Sequence, residues 1–202
     1  MVVTPEILQS CGLALRRMGD ATRSVAVTST TRREGRTTIA IGLAAAAAAM
    51  GNKTILIDLD VLHRDIKDVV RLDDWPGLTD YLEGRASADD CLQPAGRRLE
   101  VVTAGTSADI SIGERMDELD HLLKDLRGQC DLLVADLPQL EAGVLAAQMA
   151  DLFDSVALVV RAGGVTMPSL EQAVSVLSQR PHVIMNQIGN RPHWHHLRGR
   201  RS

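Results

Sequence analysis

Cysteine is scarce. Cys11, Cys91 and Cys130 stand far apart among 202 residues, which is neither the dense spacing of a disulfide framework nor the tight spacing of a metal knuckle. They read as buried or incidental thiols. A long apolar run is also missing: the alanine-rich stretch 39–50 is shorter than the ~20 residues a helix needs to cross a bilayer, and the first residues show no charged leader followed by a cleavage pattern. A chain without these marks is expected in the cytoplasm, with recruitment to the inner face of a bacterial membrane left open. Basic excess is absent too. Lys+Arg number 22 against 26 Asp+Glu, a formal net charge of -4, so no specific nucleic-acid partner is expected. At 45% hydrophobic composition the chain furnishes one substantial core and has little room for a second.

What is present alternates. Residues 1–23 read as an N-terminal helical extension ended by a Gly19-Asp20 break, 24–190 as one domain, and 191–202 as a flexible basic tail carrying His193, His195, His196, Arg198, Arg200 and Arg201. Short apolar runs predict strands at 25–27, 53–58, 99–103, 131–135, 155–160 and 183–186; helix-compatible spacing predicts helices over 39–50, 112–126 and 168–177. Strands buried on both faces read as continuous apolar runs. The alternation therefore argues for an α/β domain: an open, predominantly parallel sheet with helices on both faces. The 39–50 helix has mostly small side chains, and Gly42 within it is tolerable where close packing is needed.

Between the first strand and that helix lies Val27-Thr-Ser-Thr-Thr-Arg-Arg-Glu-Gly-Arg-Thr-Thr-Ile39, which has the outline of a phosphate-binding loop without its lysine. In the usual pattern a flexible turn precedes Lys and Ser or Thr, so that backbone donors and an ammonium surround phosphate. Here Gly35 permits the tight turn, the first amides of the helix face an anion, and Thr37 has the chemistry and spacing to offer magnesium a hydroxyl. Arg36 takes the lysine position with a longer, planar fork. Arg32 and Arg33 add positive charge and remove glycine flexibility. Such a loop either holds phosphate or makes an acidic protein contact.

Acidic residues close two later strands: Asp58 and Asp60 in Ile55-Leu-Ile-Asp-Leu-Asp60, and Asp136 in Leu132-Leu-Val-Ala-Asp-Leu-Pro138. Neighbouring ends of a parallel sheet bring such residues toward the loop, where direct or water-mediated magnesium coordination is chemically reasonable. The alternative is a structural remnant or a protein-contact surface.

The ordered set of these segments, together with Pro76-Gly-Leu-Thr-Asp-Tyr-Leu-Glu-Gly84, Val159-Val-Arg-Ala-Gly163 and Val183-Ile-Met-Asn186, closely resembles the cytoplasmic domain of the bacterial capsular and exopolysaccharide tyrosine kinases, within the MinD and ParA-like P-loop ATPases. The resemblance runs over 5–188. It implies a P-loop NTPase-like fold, with ATP and Mg2+ as cofactors. Arg33, Glu34, Gly35, Arg36, Thr37, Thr38 and Asn186 are the implied nucleotide-binding residues, Asn186 near the base. Thr37, Asp58, Asp60 and Asp136 are the implied metal residues, and Arg36 with the three aspartates the implied catalytic set. The implied partner is a membrane-associated polysaccharide copolymerase. The segment 6–13 resembles the family's oligomerisation helix, with Gln9 and Gly12 at its usual arginine positions, which leaves homo-oligomer formation open.

The departures are specific. Thr31 does not supply the extra lysine of many MinD-like ATPases, Arg33 replaces a glycine, and Arg36 replaces the phosphate lysine. The family's C-terminal tyrosine cluster is missing as well: Tyr81 is the sole tyrosine of the chain. The expectation is an ATP-binding regulatory component of capsule or exopolysaccharide production with weak or absent ATPase and tyrosine-kinase activity. Its alternatives are a non-enzymatic interaction module with a degenerate nucleotide site, and a MinD-like spatial-regulation ATPase. Trp75 and Tyr81 read as a protein contact or, with Leu78 and Leu82, as a local core.

Overall fold

The computed structural model describes residues 3–107 and 110–187; the basic tail lies outside the described residues. The chain runs α1 (Pro5–Met18), β1 (Ser24–Ser29), α2 (Arg36–Ala49), β2 (Thr54–Asp58), α3 (Asp65–Val70), α4 (Leu78–Leu82), β3 (Gln93–Gly96), β4 (Leu99–Val102), α5 (Met116–Gln129), β5 (Leu132–Asp136), α6 (Val144–Ala150), β6 (Ser155–Arg161), α7 (Met167–Ser175) and β7 (His182–Asn186). The strands form one sheet in the order β3-β4-β2-β5-β1-β6-β7. Every pairing is parallel except the edge hairpin of β3 with β4.

Side-chain alternation splits the core between the two faces of the sheet. Ala26, Ile55, Ile57, Leu133 and Ala135 join the cluster built on Leu119, Leu122, Leu123 and Leu126 of α5. Their neighbours Val25, Val27, Leu56 and Val134 join the cluster built on α1 and α2. Both faces are apolar, which is why the strands read as unbroken hydrophobic runs. The short helices α3, α4 and α6 are not expected from the sequence pattern, and two further elements depart from it. The expected helix over 112–126 opens instead with a short 3-10 turn, Ile112–Arg115, before α5 begins. Strand β3, unpredicted, contains Pro94 and Gly96 and pairs through an irregular register; an edge tolerates both residues because one side of the strand needs no ladder donor.

Helix α1 begins at a Thr4 cap whose hydroxyl accepts from the Ile7 amide and packs along α2. Gly42 is the reason they approach so closely: a Cβ there would stand 2.8 Å from Cys11 Sγ and 2.9 Å from Ile7 Cγ2. All three cysteines are buried and unpaired, and burial pushes the Cys11 thiol up to about 11. In the 76–84 segment Leu78 and Leu82 are buried and Tyr81 packs partly against them, while Trp75 stays exposed with the Arg85 guanidinium 5.9 Å from its ring centroid. Among the described residues no helix is long and apolar enough to cross a membrane.

Candidate functional site

The strand order gathers the sequence-marked acids. In register, Asp58 at the end of β2 lies beside Asp136 at the end of β5, and Val27 of β1 lies on the other side of Asp136. The Leu59 amide donates to the Asp136 carbonyl at 2.9 Å and the Leu137 amide to Val27 at 2.9 Å, so the three strand ends are laced together just where the chain turns from β1 into α2.

That turn is built from backbone geometry first. Gly35 has φ 88° and Arg33 φ 62°, left-handed conformations that glycine adopts freely and a branched or bulky residue adopts at a cost of ~1–2 kcal/mol. Space also dictates glycine at 35: a Cβ there would stand 2.0 Å from Asn186 Nδ2. Asn186, at the end of β7, donates to the Glu34 carbonyl at 2.9 Å. The Glu34 side chain is buried and turned into the protein, accepting from the Thr30 hydroxyl at 2.5 Å, the Thr31 amide at 2.9 Å and the Arg161 amide at 3.1 Å. Its carboxylate fastens the loop to the end of β6.

Arg36 opens α2 and is 9% exposed. Its Nε donates to Asp136 Oδ1 and its Nη2 to Asp60 Oδ2, both at 2.6 Å. Burial works against its charge, but Asp136 and Asp60 outweigh burial and hold it more firmly cationic than a free arginine. The acids respond in turn. Burial, reinforced by the charge of Asp136, raises Asp58 well above the usual carboxylate range, although the Asp60 and Ile66 amides donate to it. Burial likewise pushes Asp136 up to about 6 against the opposing pull of Arg36 and of a hydrogen bond with Thr37. Crowded around one guanidinium, Asp58 and Asp136 are thus both shifted toward their protonated forms.

Beside this cluster lies a cavity of about 190 Å³, lined among others by Arg32, Arg33, Gly35, Thr37, Thr38 and Asp60. The site thus brings Arg33, Gly35, Arg36, Thr37, Thr38 and Asp60 around one space, with Asp58 and Asp136 behind it. A larger hollow of about 460 Å³ opens at the other end of the sheet beside Gly19, Thr22 and Asp131, away from every one of these residues. Sequence reasoning missed His63 and Gln139, which also line the cavity. His63 Nδ1 sits 2.9 Å from both Asp60 oxygens, and its position three residues past Asp60 on one short turn was the available signal.

An anion fits the space, with the α2 amino end and two arginines beside it. Magnesium does not fit as the residues stand. Asp60 is engaged by Arg36 and His63, Asp136 by Arg36 and Thr37, and Asp58 by backbone amides. Among the described residues no group of three or more His, Cys, Asp or Glu is placed to hold a metal ion.

An open parallel sheet, a glycine turn feeding the helix after β1, and acids at the ends of β2 and β5 define the P-loop ATPase-like class. No family model matches the chain. It is 28% identical over 116 residues to an uncharacterized ATP-binding protein of Methanocaldococcus jannaschii, covering 57% of this chain and 44% of that protein. To tyrosine-protein kinase CpsD of Streptococcus agalactiae it is 26% identical over 191 residues, 93% of this chain and 83% of the kinase. To the succinoglycan biosynthesis transport protein ExoP of Rhizobium meliloti it is 29% identical over 78% of this chain and 21% of that protein. The chain thus spans less than half the length of the archaeal protein and about a fifth of ExoP. Its fold superposes on the crystal structure of the VpsO kinase domain with TM-score 0.81 at 29% identity, covering 90% of this chain and 96% of that one. The chain is homologous in sequence to the CpsD tyrosine kinases and in sequence and structure to the VpsO kinase domain, and it shares its fold with the septum site-determining protein MinD of Pyrococcus horikoshii.

Proposed function

We propose that the protein is a regulatory component of capsule or exopolysaccharide production that binds ATP weakly at the turn between β1 and α2 and transfers its phosphate weakly or not at all. One observation carries the reading: the guanidinium of Arg36 is held between Asp60 and Asp136 at 2.6 Å from each. Phosphoryl transfer depends on placing reactants and on compensating charge as it develops. Magnesium would supply compensation of that charge, and the residues that would hold it, Thr37, Asp58, Asp60 and Asp136, have oxygens engaged within the protein. What the chain retains is the binding half: the turn at Gly35, the amino end of α2, and Arg32 and Arg33 beside the cavity. Among these 202 residues Tyr81 is the sole tyrosine that could accept phosphate, and it packs partly against the core.

The likeness to CpsD and to a succinoglycan transport protein supports a membrane-associated polysaccharide copolymerase as partner. Localisation in the cytoplasm, at the inner membrane face when engaged, belongs to the same reading. A non-enzymatic interaction module is the second reading, favoured by the small cavity and by the exposed Arg32 and Arg33, which suit an acidic partner equally well. Calorimetry separates the two: saturable ATP binding is expected, and its absence at protein concentrations adequate for weak affinity leaves the interaction module. Incubation with labelled ATP is expected to yield no phosphotyrosine; reproducible self-modification at Tyr81 would sink the regulatory assignment.

A further inference from the structure

We infer that Arg36 is the site's resident cation, taking the place of a divalent ion between Asp60 and Asp136, so that the site accepts its phosphate-bearing ligand without metal. The inference deepens the proposed reading and rests on it for the nucleotide; the exclusion of metal stands on the geometry alone. A divalent ion of magnesium type requires oxygens at ~2.1 Å in near-octahedral array. Here one edge of a planar guanidinium already spans the gap between two carboxylates, with Nε on Asp136 Oδ1 and Nη2 on Asp60 Oδ2. Both carboxylates are almost fully buried, as is the arginine, so neither can turn out to solvent to make room. Thr37, the hydroxyl that the loop pattern assigns to a metal, is bonded to Asp136 instead. His63 holds the remaining face of Asp60.

The set is closed: two carboxylates, each bonded to the same cation and to one further residue, His63 for Asp60 and Thr37 for Asp136. A metal entering this set must expel a buried guanidinium from between two buried anions and leave it without a partner, an exchange that desolvation strongly opposes. The arginine also borders the cavity. Its charge therefore lies behind any anion that enters there, in the role a metal would otherwise fill, and the acceptable ligand is the metal-free form of a nucleotide or another polyphosphate.

The test uses MnCl2 alone as the metal probe and ATP as the anion. Free Mn2+, followed by its paramagnetic resonance signal, is expected to be unchanged by addition of the wild-type protein. Arg36→Ala is expected to deplete that signal in a one-to-one ratio and to show a melting temperature that rises with MnCl2. If Arg36→Ala does not fold, Arg36→Lys replaces it, since an ammonium cannot span both carboxylates. Stoichiometric uptake of Mn2+ by the wild type overturns the inference, and so does a folded variant that ignores millimolar Mn2+. In calorimetry the wild-type ATP dissociation constant is expected to agree within about twofold between EDTA and MgCl2; tightening by tenfold or more with MgCl2 also overturns it. Absence of ATP binding in both buffers defeats the proposed function, and the Mn2+ measurement then decides the cation assignment by itself.

Discussion

Helix α2 buries two opposite kinds of surface. Its first residue, Arg36, places a charge among three aspartates, whereas six residues further on Gly42 presents bare backbone to Cys11 and Ile7 of α1. At the first position the constraint is electrostatic, and every group there is tolerable only because another neutralises it. At the second the constraint is steric, and nothing but volume matters. The same helix therefore answers to substitution by different rules at its two sites, and the difference can be measured.

The largest expected effect lies at the charged end. Arg36→Ala leaves Asp60 and Asp136 buried without their cation and is expected to lower stability by about 3–5 kcal/mol, read by urea unfolding. Replacing the whole set, Arg36→Met with Asp60→Asn and Asp136→Asn, is expected to recover most of that loss; failure to recover would mean that shape, not charge, rules here too.

The second effect is a dependence on pH. The folded-state value of Asp136 is raised from 3.8 to about 6, so between about pH 4 and 6 the native chain retains a proton that the unfolded chain has released. The stabilising contribution of this group is complete below that window and is lost as pH rises through it. Unfolding free energies across the window are expected to fall more steeply with pH in the wild type than in Asp136→Asn. Equal slopes in the two proteins would remove the coupled-acid account.

At the apolar site the effect is smaller. Gly42→Ala drives a methyl into Cys11 and Ile7, an overpacking cost of about 1–3 kcal/mol set against a helix-propensity gain of roughly 1 kcal/mol. A net loss is expected in thermal unfolding, and a smaller one when Cys11→Ala first removes one of the two clashes. The smallest effect belongs to the loop. Arg33→Gly removes the left-handed strain at φ 62° but gains unfolded-state entropy, for a net stabilisation of up to about 1 kcal/mol. Loss of stability there would show that the Arg33 side chain makes a contact worth more than the strain.

Most of the scaffold was legible because burial on two faces leaves a plain trace: the runs around Ile55, Leu133 and Val156 could hardly be anything but inner strands. The edge hairpin was not, since Pro94 and Gly96 erase the β pattern that pairing with β4 restores. Helix α6 hid for a similar reason, its seven residues being too short for a helical period to show. In the site, the order of motifs identified which residues converge, and Asp58, Asp60, Asp136, Arg36 and Thr37 do converge. Where the guanidinium points was not legible. Arg36 could face a ligand or face inward, and the choice rests on two carboxylates 24 and 100 residues away. The inward use of the Glu34 carboxylate was hidden likewise, because its one distant partner, the Arg161 amide at the end of β6, meets it only in the folded chain.

The bond from Asn186 to the Glu34 carbonyl has a thermodynamic consequence. A base that recruited the Nδ2–H now given to Glu34 would have to take it from the loop backbone, so that recognition of a base at the end of β7 would loosen the adjoining turn where an anion would sit. Whatever free energy this exchange costs the base, loosening of the turn by an anion returns to it in equal measure, and the two halves of a nucleotide would register each other through a single side chain.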